Sequence, residues 1–193
     1  MPANLLDISD ASIPLPEFII LDASIVLELT PEPAHPHKNH VLAVNFLHRI
    51  NGAAQQGGVK PVLPLLAFEE CYFKIAKRIL ESYGKLAGVP WHIYYKQNPQ
   101  SIRSALPALA QLYNMLLAFP IEITEPEDLA ILPKGRERPL SLRMGEMIDS
   151  FSILPKDATI ISEAERLGIK TLATLDSDWS RADGFTVFAP LTL

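Results

Sequence analysis

The sequence contains a single cysteine, Cys71, and no long hydrophobic run. One cysteine rules out an internal disulfide framework and fits a reducing compartment. The longest apolar stretches, of which Phe18–Leu21 and Leu116–Phe119 are examples, are far shorter than the ~20 residues needed to cross a bilayer. The first residues do not form the basic and then apolar segments of a secretory leader. We therefore expect a cytoplasmic protein that does not enter the membrane.

An excess of positive charge is also missing. The 193 residues include 17 Lys and Arg against 22 Asp and Glu, which gives a net charge of −5 with histidine neutral. Bulk charge therefore does not draw the chain to nucleic acid, and a polyanion would need a local basic patch or bound cations. The motifs GxxxxGK[ST] and GxGxxG are absent, which excludes the common nucleotide-binding loops. GxSxG is absent as well, so a serine hydrolase is unsupported.

What the chain does contain is a regular alternation of short apolar runs and amphipathic segments. Apolar residues make up 48% of the sequence, which is enough for one globular domain of this length. The run FIIL is typical of a strand that is buried on both faces. Strands that alternate with helices predict a parallel sheet with right-handed crossovers. We predict one domain over residues 1–193, with strands at 18–21, 60–65, 121–124, 169–174 and, at a sheet edge, 185–188.

Helices, loops and an arm account for the remaining segments. Apolar spacing predicts helices at 37–52, 67–83, 101–119, 139–151 and 156–167, and a short acidic helix from Glu125. Pro107 should bend or restart the helix in which it lies. Residues 1–17 are predicted to form an extended N-terminal arm, and 88–98 to form a strand or a loop. The segment AHPHKNH, 34–40, is interpreted as a solvated loop because its histidines match no zinc-ligand spacing.

Four acidic residues should meet at one edge of the predicted sheet: Asp22, Glu70, Asp157 and Asp176. The helix that begins near Asp157 is ~16 Å long, and the strand after it returns ~20 Å in the opposite direction. Asp157 and Asp176 therefore lie at the same end of the sheet. Asp22 follows its own strand directly, and Glu70 lies in the first turns of the helix after the second strand. Sites in open α/β sheets form at this edge, where the strand order reverses.

Carboxylates in one cleft repel one another, so they either hold protons or bind a cation. Oxygen ligands with no His or Cys nearby suit Mg²⁺ or Mn²⁺ rather than zinc. Such ions can activate water against a phosphodiester, and they let an acidic protein approach RNA or DNA. Each residue alone also has an ordinary structural interpretation: Asp22 can cap a turn, Asp157 can complement a helix dipole, and Glu70 can pair with Lys74.

Three segments follow a pattern known from one family. LDASIVLEL contains Asp22 and Ser24, LAFEECYFKI contains Glu69 and Glu70, and LPKDATIISEAERLGIKTLATLDSDW ends at Trp179. In this order and spacing they resemble the PIN domain family of metal-dependent ribonucleases, which includes the VapC-type toxins of toxin–antitoxin systems. The resemblance covers both ends of the chain well and residues 84–150 poorly.

The resemblance implies a role for each of these polar residues. It implies a set of metal ligands: Asp22, Glu70, Asp157, Asp176 and Asp178. Ser24 and Thr174 would support these ligands without binding the metal themselves. Glu69 is the alternative to Glu70, since a helical projection places Glu69 nearer the buried face.

The resemblance also implies a fold and partners. The fold would be a three-layer α/β/α domain with a central parallel sheet and, in the middle of the chain, a helical insertion. The activity would be Mg²⁺- or Mn²⁺-dependent endoribonucleolytic cleavage of RNA by metal-activated water. A homodimer and, for a toxin, an antitoxin protein would be its partners. The alternative is a PIN-fold binding or oligomerisation module without nuclease activity. A phosphatase of the haloacid-dehalogenase kind would need a second aspartate where this chain has Ser24.

Basic and aromatic residues supply two further features. One candidate patch for RNA phosphates consists of Lys134, Arg136, Arg138 and Arg143, and a second of Lys74, Lys77 and Arg78. Solvated charge is the commoner explanation for such patches. Trp91, Tyr94 and Tyr95 can either stack on bases or pack within the protein, and packing is the more frequent role for aromatic clusters.

Overall fold

The computed structural model describes residues 3–30, 39–124 and 140–191. Its strands are β1 (Asn4–Asp7), β2 (Phe18–Leu21), β3 (Lys60–Leu63), β4 (Glu122–Ile123), β5 (Thr171–Ala173) and β6 (Thr186–Ala189). Its α-helices are α1 (Ala23–Val26), α2 (His40–Gln55), α3 (Leu65–Leu86), α4 (Trp91–Gln97), α5 (Leu106–Ala118), α6 (Leu140–Phe151) and α7 (Pro155–Arg166). Shorter 3₁₀ turns cover Leu27–Leu29, Pro99–Ala105 and Ser177–Arg181. None of the helices in these ranges is both long and apolar enough to cross a membrane.

The six strands form one parallel sheet in the order β1-β6-β5-β2-β3-β4. Helices flank this sheet in a three-layer α/β/α arrangement, as predicted. Ile19, Ile20 and Leu21 of the central strand β2 are fully buried, which explains why that strand is an unbroken apolar run. The chain proceeds from β2 to β3 and β4 on one side, and then returns to β5 on the other side of β2. The strand order therefore reverses between β2 and β5, and this is where a crevice opens at the carboxyl ends.

The predicted N-terminal arm is partly wrong, because residues 4–7 form strand β1 of the sheet. This strand pairs in parallel with β6, with Asn4 opposite Thr186 and Asp7 opposite Ala189. As a result β6 is not an edge strand: it lies between β1 and β5. NLLD has neither an alternating nor a continuous apolar pattern, so only the main-chain hydrogen bonds to a partner near the other end of the chain make it a strand.

The middle of the chain is helical in the part that the structure describes. The ambiguous segment 88–98 contains helix α4, which packs on α3 with the rings of Tyr83 and Tyr94 stacked 5.9 Å apart. Pro107 occupies the first turn of α5, where proline is tolerated, and a 3₁₀ turn precedes that helix in place of a bend. The short acidic helix predicted from Glu125 lies outside the described residues, as do Lys134, Arg136 and Arg138 of the first basic patch and most of the loop 34–40.

Gly84 permits the close packing of α3 against the start of α4. A Cβ at this position would lie 2.7 Å from the carbonyl oxygen of Val89 and 3.1 Å from Cα of Trp91. These are main-chain atoms, so the two helices would have to separate to make room. Gly52 in α2 is a matched contrast, because a Cβ there would meet no atom within 4 Å.

We expect Gly84→Ala to destabilise the protein by about 1–3 kcal/mol, the usual cost of overpacking. We expect Gly52→Ala to stabilise it by about 0.5–1 kcal/mol, since alanine lowers the entropy cost of forming a helix. Urea unfolding of both variants measures this difference. Equal effects of the two substitutions would show that α4 does not depend on close contact with Gly84.

Candidate functional site

The reversal of strand order brings the ends of β2 and β5 side by side. Asp22 is the first residue after β2, and its main-chain N–H donates to the carbonyl of Ala173 at the end of β5, at 3.0 Å. Asp22 also caps helix α1, because its side chain accepts from the N–H of Ser24 at 3.2 Å. Thr174 follows β5 and is fully buried. Asp22 and Thr174 therefore lie next to each other, at the adjacent ends of the two central strands β2 and β5.

Three hydrogen bonds hold the carboxylate of Asp22 through a single oxygen. Its Oδ2 accepts from Ser24 Oγ at 2.5 Å, from Thr174 Oγ1 at 2.9 Å and from the Ser24 N–H. The two hydroxyls are themselves fixed, because Ser24 Oγ accepts from the N–H of Leu175 and Thr174 Oγ1 accepts from the N–H of Asp176, each at 3.0 Å. The other oxygen of Asp22, Oδ1, accepts no hydrogen bond from a described residue. One oxygen therefore orients the group, and the other is left for a ligand.

The pKa of Asp22 lies above its ordinary value. Burial is the largest cause, since the residue is only 6% exposed, and the negative charge of Glu70 adds to it. The hydrogen bonds from Ser24 and Thr174 act in the opposite direction, because they stabilise the charged form. A bound cation would favour the ionised carboxylate in the same way.

Asp157 lies half-buried in the first turn of α7, and other carboxylates strongly affect it. Its pKa is raised to about 6, first by burial and then by the negative charges of Asp22, Asp176, Glu70 and Asp178. The predicted acidic residues thus come close enough to repel one another. This follows from the helix and strand directions: α7 leaves the carboxyl edge of the sheet and β5 returns to it.

The structure distinguishes between the two adjacent glutamates. Glu70 is mostly buried at 16% side-chain exposure, and its charge raises the pKa of both Asp22 and Asp157. Its Oε1 pairs with Nζ of Lys74 at 2.7 Å. Glu69 is exposed and affects Glu163 instead. Glu70 is therefore the glutamate on the same side as the aspartates.

Asp176 and Asp178 lie in the turn after β5. Asp176 caps this 3₁₀ turn, accepting from the N–H of Asp178 at 2.9 Å. Asp178 pairs with Arg181 at 2.8 Å, and Arg181 also donates to the main-chain oxygen of Ser152 at 2.9 Å. Arg181 was not among the predicted site residues. Its position three residues after Asp178 could have indicated this ion pair. Arg181 thus connects the turn that contains Asp176 and Asp178 to Ser152, which precedes α7.

Glu163 is a second residue that sequence reasoning missed. It lies on α7, is 4% exposed, and its Oε2 has no hydrogen-bond partner in the described structure. Burial raises its pKa to about 7, Arg166 opposes this shift, and the charge of Glu69 adds to it. Its apolar neighbours in the sequence, among them Ile160 and Ile161, would have indicated a buried glutamate. Glu163 is not among the charges that raise the pKa of Asp157.

The donor chemistry of the site fits a hard divalent cation. Carboxylate oxygens are the ligands that Mg²⁺ and Mn²⁺ prefer, and Asp22 retains a free oxygen. Among residues 3–30, 39–124 and 140–191, however, no three or more His, Cys, Asp or Glu side chains are grouped closely enough to hold a metal ion. In this arrangement Glu70 pairs with Lys74.

Comparisons with known proteins give one finding. The family model of the PIN domain matches residues 19–185, which is most of the chain and includes every acidic residue of the site. PIN domains are generally nucleases and typically use divalent metals. A search of curated proteins found no match.

Because Asp157 is partly buried and other carboxylates repel it, we predict that Asp157→Asn stabilises the metal-free protein. The folded-state pKa of about 6 exceeds the ordinary value of 3.8, so the folded chain binds this proton more tightly than the unfolded chain does. The free energy of unfolding therefore falls as the pH rises from about 4 to about 6, and it stays lowered above that. The substitution removes this loss.

Thermal unfolding in EDTA measures this effect. At about pH 7.5 we expect Asp157→Asn to unfold several degrees above the wild type, and below about pH 4 we expect no difference. A variant that is less stable than the wild type at neutral pH would contradict the repulsion, because the carboxylate would then be making a stabilising contact.

Proposed function

The chain belongs to the PIN domain family, and on that premise we propose that it is a Mg²⁺- or Mn²⁺-dependent endoribonuclease. The observation that carries this proposal is the grouping of carboxylates at the point where the strand order reverses: burial first, and then the charges of four other carboxylates, raise the pKa of Asp157 to about 6. A structural domain gains nothing from assembling such repulsion, whereas a cation site needs it. RNA is the substrate, and hydrolysis of its phosphodiester bonds is the reaction.

Each polar residue of the site has a separate task in this proposal. The cation would be held by Asp22, Glu70, Asp157 and Asp176, with Asp178 beside them. When bound, the cation supplies Lewis-acid activation of water and neutralises charge on the phosphate. Ser24 and Thr174 hold Asp22 through Oδ2, so its Oδ1 keeps one orientation. Lys74 neutralises Glu70 in the absence of metal, and its side chain, which is 41% exposed, can move into solvent when a cation binds Glu70.

The partners of this nuclease are proposed on the same premise. We include a homodimer and, if the protein is a toxin, an antitoxin that covers the acidic site. A binding module without nuclease activity is the second candidate function. It is favoured by the ion pair between Glu70 and Lys74, which already satisfies one of the carboxylates without a metal.

Cleavage of a labelled single-stranded RNA pool in Mn²⁺, Mg²⁺ or EDTA tests the proposed activity. We expect cleavage with either metal and none in EDTA. Asp22→Asn should lower the rate at least about a hundredfold, because the charge stabilisation by a bound metal is worth several kcal/mol. Mn²⁺ should raise the unfolding temperature of the wild type and not that of Asp22→Asn. A wild type that neither cleaves RNA nor responds to Mn²⁺ would instead support the binding module.

The adjacent glutamates supply a matched test on one helix. We expect Glu70→Gln to reduce cleavage at least about tenfold, because it removes a negative charge that interacts with Asp22 and Asp157. Glu69→Gln should leave the rate unchanged. Glu81→Gln is the control, since Glu81 also pairs with a lysine four residues away, Lys77, at 3.5 Å. Loss of activity in Glu69→Gln alone would reverse the assignment.

A further inference from the structure

Two residues next to the carboxylates have chemistry that the metal site does not use. Phe73 lies one turn after Glu70 on α3, and 51% of it is exposed. Lys156 directly precedes Asp157 at the start of α7 and is also exposed. The Lys156 ammonium lies over the ring of Phe73, with Nζ 5.7 Å from the ring centroid. A cation and an aromatic face thus share one position beside the acidic site.

Trp91 extends this aromatic surface beyond Phe73. Its ring lies 6.2 Å from that of Phe73, edge to face at 76°. Neither ring is part of the hydrophobic core or packs against it in the described structure. Gly84 brings the main chain of Trp91 against α3, so Trp91 is held in place by its backbone. Both rings therefore lie outside the hydrophobic core, with Phe73 exposed and Trp91 partly exposed.

We propose that Phe73, Trp91 and Lys156 form a track that binds single-stranded RNA beside the acidic site. Bases stack on the two rings, and the ammonium of Lys156 binds the phosphate between them and the carboxylates. A nucleotide combines a flat apolar face with a negative charge, and this track offers an exposed ring with a cation above it. Unpaired bases are required, because the faces of paired bases are covered by their neighbours.

The cation Lys156, which is unpaired in the described structure, favours RNA over a protein as the occupant of this track. The chain has a net charge of −5, so binding of a phosphate depends on a local cation. Among the described residues Lys156 makes no ion pair, whereas Lys74 and Lys77 on the same face of α3 are paired with glutamates. Lys156 is thus a cation that remains available to a phosphate. The inference rests on the proposed function, since it gives the strand a route to that site.

Tryptophan fluorescence measures binding directly. Trp91 is partly exposed and Trp179 is 1% exposed, so quenching by a stacked base reports on Trp91. The probe is a mixed-sequence, non-self-complementary RNA of about twelve nucleotides, titrated into wild-type protein in EDTA, where no cleavage competes. The comparison ligands are an abasic phosphodiester chain of equal length and the same RNA paired with its complement. We expect quenching by the single strand alone.

Substitutions distinguish the contribution of the Phe73 ring to RNA binding from that of the Lys156 charge. We expect Phe73→Leu, which keeps apolar volume, to weaken binding about tenfold, and Phe73→Tyr to restore it. Lys156→Gln should weaken binding and lower the salt dependence by about one counterion. Tyr113→Leu, at another exposed ring on α5, is the control and should change nothing.

Three outcomes would overturn the track. The first is unchanged affinity in Phe73→Leu, and the second is equal binding of the abasic chain, which would reduce the surface to charge alone. The third is a dimer in light scattering that Phe73→Leu dissociates while RNA affinity stays the same, which would make the surface a subunit interface. Because binding is measured without metal, these outcomes leave the cleavage result standing. Conversely, the protein could bind RNA through Phe73 and cleave none. That result would contradict the proposed nuclease activity and support the RNA-binding track.

Discussion

The position of one buried carboxylate, that of Asp22, determines how the rest of the site is built. Asp22 follows the central strand of the sheet, where the strand order reverses, and it is 6% exposed. Burial of a charge is costly unless hydrogen bonds compensate for it, and here Ser24 and Thr174 both donate to the same oxygen. These donors come from two different strand ends. The carboxylate can therefore be held only when β2 and β5 are adjacent.

The remaining carboxylates make the site unstable without a counter-charge. Asp157 is the clearest case, because its pKa of about 6 reflects repulsion from four other groups as well as burial. Lys74 and Arg181 relieve part of this repulsion through their pairs with Glu70 and Asp178. Functional sites often lower the folding stability of a protein in this way. Binding of a ligand then restores the lost stability.

The location of the site could be predicted from the sequence because it depends on local geometry. The rise per residue of a helix and of a strand sufficed to place Asp157 and Asp176 at one edge, since α7 and β5 are consecutive. Strand β1 could not be predicted, because its only reason to be extended is a partner near the other end of the chain. The choice between Glu69 and Glu70 also needed the structure, because it depends on how α3 is rotated against α7.

The acidic site and the proposed aromatic track would meet two opposite electrostatic demands. A nuclease must attract a polyanion and yet concentrate negative charge where the cation binds, and these demands conflict at a single position. Stacking eases the conflict, because contact between a base and an aromatic ring adds affinity without adding positive charge to the site. A single cation such as Lys156, which lies over the Phe73 ring and directly precedes Asp157, would then guide the backbone. An acidic protein can in this way bind RNA without an extended basic surface, because unpaired bases supply the affinity that net charge cannot.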